Sequence, residues 1–301
     1  MVAPPPVTAS TKRMTWRWPF RRSAAGRQRR LPLFSAGIIA LLVFVSIFAE
    51  LVSPADPFHQ TLRARLLPPV WEAKGSWAHI LGSDQLGRDV LARIIYGARV
   101  SLAAGCLTVL LATAIGVTAG LVAGYYRGWV DAVLMQFADA MLSIPIILLA
   151  LILAVTVGPS FANIIVAIAF ILWARYARVI RGETLSLMQR DFIAQARISG
   201  CSAQRIILVH LLPNTLNTII VLFTLQVGYV IIVESSLSFL GAGIPPPTPA
   251  WGTMVAEGRG YIASAWWVAF FPGLAICLVV LSFNIFGDWV RDRLDPKLRQ
   301  L

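Results

Sequence analysis

The chain has 301 residues, of which 57% are hydrophobic and only 13% are charged, and its mean hydropathy is +0.73. These values exclude an ordinary water-soluble protein and predict an all-helical integral membrane protein. The net charge of +12 does not indicate nucleic-acid binding, because the basic residues lie beside apolar runs, where they orient membrane spans. Three cysteines are too few for a disulfide framework.

The first 52 residues combine a basic segment with an apolar one. Residues 1–30 contain three consecutive prolines and eight basic residues without an acid, which favours a cytoplasmic tail. Residues 31–52 are mostly apolar and long enough for one membrane-spanning helix, since a bilayer core needs about 20 residues. A cleaved signal peptide is the alternative, but this run is longer than such a segment usually is.

Five more apolar runs of membrane length follow, so the sequence predicts six spans. The five runs are 100–125, 132–157, 160–176, 215–240 and 265–290. With the N-terminus inside, 19 basic residues fall on the inner side and 7 on the outer side, which places both termini in the cytoplasm. The predicted organisation is an extracytoplasmic loop at 53–99, a five-helix core at 100–290 and a cytoplasmic tail at 291–301.

The long loop at 53–99 carries the pattern of an amphipathic helix. It contains acid-to-base pairs four residues apart, Asp84 with Arg88 and Asp89 with Arg93, beside the apolar stripe Leu86, Val90 and Ile94. Such pairs stabilise one helical face while the stripe forms the other. We therefore expect a helix lying along the outer membrane surface.

Polar residues inside the predicted spans are candidates for a translocation path, because a polar group facing lipid is costly. Gln136, Asp139 and Ser143 share one face of the third span, and Pro145 is expected to bend it. In the fifth span, Glu234 lies beside several serines, of which Ser238 is one turn away. An equally weighted interpretation is that both acids are structural hydrogen-bond partners between helices.

The second span has small residues at a four-residue spacing: Ala112, Gly116, Gly120 and Gly124. This stripe allows another helix to approach closely. Helix packing is the favoured interpretation, ahead of a pore-lining role.

Nothing in the sequence indicates catalysis. The chain has no GxxxxGK[ST] phosphate-binding loop, and its histidines at positions 59, 79 and 210 lie outside the predicted spans. We therefore predict no catalytic residues, metal site or cofactor, and any ATP must be hydrolysed by a partner.

The predicted cytoplasmic loop at 177–214 contains residues typical of short helices and their ends. Phe192, Ile193 and Ala196 share a face, Gly200 ends a short helix, and an apolar segment at 206–212 stops at Pro213. A short helix with an apolar face is typical of an element that docks into another protein. The alternative is an interfacial helix on the inner leaflet, which the nearby arginines would also suit.

This loop resembles the cytoplasmic signature of ATP-binding-cassette importer permeases, EAA-x3-G-x9-I-x-LP. It reads Ala194-Gln195-Ala196, Gly200, His210 and Leu212-Pro213, with the spacing kept and the glutamate replaced by Ala194. Three other stretches resemble the C-type permease subunit of bacterial dipeptide, oligopeptide and nickel importers. They are HILGSDQLGRDVLARIIYGARVS at 79–101, ESSLSFLGAGIPPPTPAWG at 234–252, and 271–296, which begins FPGLAI.

The resemblance implies a six-span type I importer permease in the bacterial inner membrane, forming half of a translocation pathway. It implies four kinds of partner: a second homologous permease, two cytoplasmic ATP-binding subunits and an extracytoplasmic solute-binding protein, around a chain embedded in lipid. It assigns coupling to the ATPases to Phe192, Ala194, Gln195, Ala196, Gly200, His210 and Pro213. The solute stays open among dipeptides, oligopeptides, glutathione and nickel complexes.

Two other classes of protein fit parts of the pattern. A proton-coupled secondary transporter would use Asp139 and Glu234 as proton carriers. A membrane scaffold or receptor explains the spans but not their polar residues. The docking-shaped loop favours the transporter that is driven by partner ATPases.

Overall fold

The computed structural model describes residues 31–294, and within this range the chain consists of helices and their connections. The predicted tail at 1–30 and residues 295–301 lie outside the described range. The helices are α1 (Leu33–Ile47), α2 (Ala49–Val52), α3 (Val90–Tyr126), α4 (Gly128–Ser143), α5 (Ile146–Val157), α6 (Phe161–Leu187), α7 (Asp191–Ile198), α8 (Ala203–Arg205), α9 (Leu212–Phe239), α10 (Trp251–Gly258) and α11 (Trp267–Leu294). A π-helical turn, Ile206–Leu211, joins α8 to α9.

In the described part of the chain, four helical stretches are long and apolar enough to cross a membrane, and the bent pair α4–α5 would make five. The four are α3, α6, the continuous stretch from α8 through α9, and α11. The prediction of six spans is therefore not confirmed. The difference lies in the first span, because α1 has only 15 residues and ends at Ile47, and a short α2 begins after Phe48.

The predicted third span is broken into two helices. α4 and α5 meet at 85°, with Ile144 in an extended conformation and Pro145 immediately before the first residue of α5. A proline pushes the residue before it out of the helical region and supplies no backbone N–H. The bend predicted at Pro145 is confirmed, and it is sharp enough to separate two helices.

The centre of the fold is the contact between α3 and α6, and the stripe of small residues makes it possible. A Cβ built on Gly120 would lie 2.7 Å from the carbonyl oxygen of Ala177, and one built on Gly124 would lie 2.6 Å from the Cβ of Thr184. Gly116 meets the backbone of Trp173 in the same way, and Ala112 is buried. The packing interpretation of this stripe is confirmed.

The residues before α3 do not form the predicted amphipathic helix. Residues 83–89 form a tight loop closed by a bridge between Ser83 and Asp89, and α3 begins at Val90. The side chain of Asp89 accepts a hydrogen bond from the backbone N–H of Ala92 at 2.7 Å, so this residue caps the helix. The prediction was wrong because a capping aspartate and a loop aspartate happen to lie four residues before arginines.

The bundle has two distinct ends. Residues 53–89 and α10 lie at the end where α3 and α11 begin, which we call the cap end, and α7 lies at the opposite end. The α7 end is also where α6 stops, at Leu187, eleven residues beyond the predicted limit of that span.

Candidate functional site

The helix α7 and its stop match the sequence prediction closely. It runs over Asp191–Ile198, and Gly200 follows with a φ of +76°. The N–H of Gly200 donates to the carbonyl of Arg197 at 3.0 Å, and the N–H of Cys201 donates to that of Ala196 at 3.0 Å. This pair of bonds is a Schellman motif, in which glycine takes the left-handed position without steric cost.

The apolar face of α7 is not free for docking in the way predicted. Ile193 and Ala196 are buried against Ile206 and Leu211 and against residues of α3 and α6, whereas Phe192 is 38% exposed. The prediction that all three residues face a partner is therefore wrong for Ile193 and Ala196, because the stripe closes on the chain's own helices. Burial of this stripe fixes α7 rigidly to the bundle.

A different set of side chains at this end is exposed. We define the α7 patch as Phe192, Ala194, Gln195 and Ile198 of α7 together with Leu208 and Val209 of the π-helical turn. Ile198 is 87% exposed and Leu208 is 61% exposed, so large apolar side chains at this end are available for contact with a partner. The sequence pattern did not single out Ile198, and it placed Leu208 and Val209 only within the apolar segment at 206–212.

The remaining signature residues lie close to this patch. His210 is half-buried in the π-helical turn, with its ring centroid 6.5 Å from that of Phe192. Pro213 is exposed in the first turn of α9, directly after the π-helical turn.

The polar stripe predicted on the third span lies together on α4. Gln136, Asp139 and Ser143 are all exposed, and the hydroxyl of Ser143 donates to the carbonyl of Asp139 at 2.8 Å. The carboxylate of Asp139 forms an ion pair with Arg178 of α6. A second pair joins Asp131 to Arg181, so α4 is attached to α6 by two acid–arginine contacts.

Glu234 lies in different surroundings from Asp139. Its side chain is buried, and Ser238 donates to its carboxylate at 2.7 Å. In residues 31–294, no recorded ion pair or hydrogen bond connects Glu234 with Asp139. The five candidate path residues therefore fall into two groups, an exposed one on α4 and a buried one on α9.

The cap end contains a buried ion network, of which the sequence predicted only the pair of Asp84 with Arg88. We call Asp84, Arg88, Arg93 and Glu257 the cap ion cluster. One carboxylate oxygen of Asp84 accepts from Arg88 at 2.6 Å and from Arg93 at 2.5 Å, and Glu257 accepts from the same two arginines at 2.9 and 2.8 Å. Apart from Glu257, whose side chain is 18% exposed, these side chains are almost fully buried.

The cap ion cluster joins distant parts of the chain. Glu257 belongs to α10, more than 160 residues after Arg93, so no local spacing could predict the contact. Two tryptophans support it: the indole N–H of Trp267 donates to the carbonyl of Ser83 at 3.0 Å, and that of Trp251 donates to the carbonyl of Ile94 at 3.0 Å. Arg93 therefore pairs with Asp84 and Glu257, and not with Asp89 as the helical spacing suggested.

Between residues 31 and 294, no cluster of three or more His, Cys, Asp or Glu side chains could hold a metal ion.

Comparison with known proteins identifies similar chains along almost the whole sequence. A family model described as the inner-membrane component of binding-protein-dependent transport systems matches residues 116–300. A model of the N-terminal transmembrane domain of oligopeptide transport permease C matches residues 27–69.

Individual relatives are similar over comparable lengths. The dipeptide transport system permease protein DppC of Haemophilus influenzae is 40% identical, with 91% of this chain and 93% of the relative aligned. DppC of Escherichia coli K12 is 45% identical over 87% of each chain. The glutathione transport system permease protein GsiD of Pectobacterium atrosepticum is 41% identical over 98% of this chain and 95% of the relative.

Among solved structures, an inward-facing MetNI methionine ABC transporter has a similar fold. The alignment has a TM-score of 0.57 and 19% identity, and covers 67% of this chain and 96% of the other. At this identity the likeness concerns the fold alone.

Proposed function

The chain belongs to the family of binding-protein-dependent transport system inner-membrane components, and from this premise we propose that it is the permease subunit of an ATP-driven importer. The solute we propose is a short peptide or a related small molecule, because relatives that align over 87% or more of this chain are named as dipeptide and glutathione permeases. The chain forms half of the pathway, and a second homologous permease forms the other half. Both termini lie in the cytoplasm.

The observation that carries the proposal is the α7 patch. Large apolar side chains are exposed there on a short helix that is itself fixed to α3 and α6 through Ile193 and Ala196. Exposed apolar groups on a rigid support favour a protein partner. We assign this partner to the two cytoplasmic ATP-binding subunits.

The buried face of α7 gives the coupling a physical route. Ile193 and Ala196 share one apolar cluster with Val117 and Leu121 of α3 and with Ile180 of α6. Close-packed groups transmit displacement because they cannot be compressed. A push on Phe192 or Ile198 therefore moves the ends of α3 and α6 together with α7 and rocks the spans.

The exposed face of α4 is assigned to the pathway or to the second permease. Gln136, Asp139 and Ser143 would face water or protein there, because exposure of this stripe to lipid would be costly. Glu234 is assigned a structural role near the cap end, where an extracytoplasmic solute-binding protein would deliver the solute.

Reconstitution tests this function against proton-driven transport. Liposomes containing this chain, the second permease and both ATP-binding subunits should accumulate a radiolabelled dipeptide only with ATP and the solute-binding protein. Collapse of the proton gradient should not reduce uptake, and Asp139→Asn and Glu234→Gln should leave its ATP dependence unchanged. Accumulation by the chain alone under an imposed pH gradient would contradict the proposal and support a secondary transporter.

A further inference from the structure

A cavity at the α7 end, about 490 Å³ in volume, lies between α6, α9 and α11. It is separate from the α7 patch and from the polar stripe of α4. Its polar lining consists of Glu183, Asn214, Asn217, Thr218 and Arg291. The volume is in the range of cavities that bind small molecules.

Two opposite charges line this cavity without pairing. Glu183 and Arg291 both face it, yet no ion pair joins them, and none joins either to another residue within the described range. The carboxylate of Glu183 has Thr218 as a hydrogen-bond partner, but its Oε2 atom is buried and lacks one. Such an acceptor is unfavourable until a donor arrives, and a ligand with a positive and a negative end would satisfy both residues.

The two asparagines distinguish between zwitterionic ligands. The side-chain amide of Asn214 donates to the carbonyl of His210 at 2.6 Å, and that of Asn217 donates to the carbonyl of Leu294 at 3.5 Å. Their side-chain carbonyl oxygens therefore remain as acceptors. A peptide has a backbone N–H to donate to them in addition to its ammonium group, whereas a zwitterionic phospholipid can donate only through its ammonium headgroup.

We propose that this cavity binds a zwitterionic short peptide, with its ammonium group at Glu183 and its carboxylate at Arg291. An extended dipeptide spans about 7 Å between its ends, so its two charges can contact two side chains that do not pair with each other. Val221 and Leu222 provide an apolar wall for its side chains. The inference rests on the proposed function and identifies a peptide site at the cytoplasmic side of the path.

The test uses the assembled complex in lipid nanodiscs without nucleotide or solute-binding protein. The probes are radiolabelled dialanine, its N-acetyl derivative and its C-terminal amide. We expect the wild type to bind dialanine at least tenfold more tightly than either derivative. Glu183→Gln should abolish the discrimination against the N-acetyl derivative only, and Arg291→Gln the discrimination against the amide only.

Matched controls separate this site from a general loss of structure. Glu50→Gln and Arg99→Gln alter an exposed ion pair near the opposite end and should leave all three affinities unchanged. The inference is overturned if the wild type shows no saturable binding, or if Glu183→Gln and Arg291→Gln change neither discrimination. It is also overturned if the variants lose co-purified phospholipid, measured by mass spectrometry, while dialanine affinity stays the same.

The outcome for the proposed function is read separately. ATP-driven uptake of the same dipeptide by wild-type liposomes, together with unaltered binding in the two variants, would reject this site and leave the function intact. Absence of uptake by the wild-type complex would reject the function itself.

Discussion

Replacing Glu257 with glutamine removes one of the four charges of the cap ion cluster while keeping the shape of the side chain. In the wild type the two carboxylates balance the two guanidinium groups, and each arginine contacts both acids at 2.5 to 2.9 Å. The variant leaves one positive charge without a counterion among side chains that are almost fully buried. Asp84 alone cannot neutralise both arginines.

The size of the effect follows from this imbalance. Breaking a buried ion pair by removing one partner typically costs about 3 to 5 kcal/mol of unfolding free energy. Since Glu257 is 18% exposed and Asp84 remains in place, we expect the lower end of that range, about 3 kcal/mol. For a chain of this size that corresponds to a drop in melting temperature of roughly 5 °C.

Thermal unfolding of the purified chain in detergent, followed by tryptophan fluorescence, measures this effect, because Trp251 and Trp267 lie beside the cluster. Glu50→Gln is the matched control, since its pair with Arg99 is exposed and contributes at most about 1 kcal/mol. A second replacement, Arg88→Gln in the Glu257→Gln background, restores neutrality and should recover part of the loss. Equal melting temperatures for Glu257→Gln and Glu50→Gln would refute the reasoning, as would a double variant no more stable than the single one.

Three further predictions concern other parts of the chain. Gly120→Ala should lower the melting temperature, because its Cβ would lie 2.7 Å from a backbone oxygen of α6 and overpacking costs about 1 to 3 kcal/mol. Gly182→Ala, in a helix with no atom within 4 Å of the new Cβ, should raise it, and changes of the same sign would contradict this packing. Gly200→Val should reach normal abundance but lose uptake and substrate-stimulated ATP hydrolysis, because a side chain at φ +76° costs roughly 1 to 2 kcal/mol. Gly200→Asn should retain both activities. Full uptake by the valine variant would reject the coupling role. In a cysteine-free background, a membrane-impermeant maleimide should label Ser264→Cys from outside and Ser202→Cys only after permeabilisation. Labelling of Ser202→Cys in intact cells would invert the proposed topology.

The sequence was most informative where local rules decide the structure. The helix at α7 and the left-handed Gly200 follow from a capping pattern that spans ten residues, and the bend at Pro145 follows from the chemistry of one residue. The family resemblance is also confirmed, because its motifs are short and fixed in spacing.

Long-range contacts account for what the sequence did not reveal. The predicted fourth span stopped at residue 176 because arginines follow it, yet α6 continues to Leu187 with Arg178 and Arg181 paired to aspartates of α4. Hydropathy counts each charge separately and cannot detect a partner 39 or 50 residues away. The assignment of Ile193 and Ala196 to a docking face was wrong for the same reason. The pattern of an apolar stripe does not indicate whether a partner or a distant part of the same chain covers it.

The length of α3 gives the two ends of the molecule a mechanical connection. Arg93 of the cap ion cluster and Val117 of the cluster beneath α7 lie on this one uninterrupted helix, about 36 Å apart along its axis. Such a helix acts as a lever arm: a tilt of about 5° about the cap end displaces Val117 by about 3 Å over that length. A small rotation imposed at one end thus moves the other end by a distance comparable to the length of a backbone hydrogen bond.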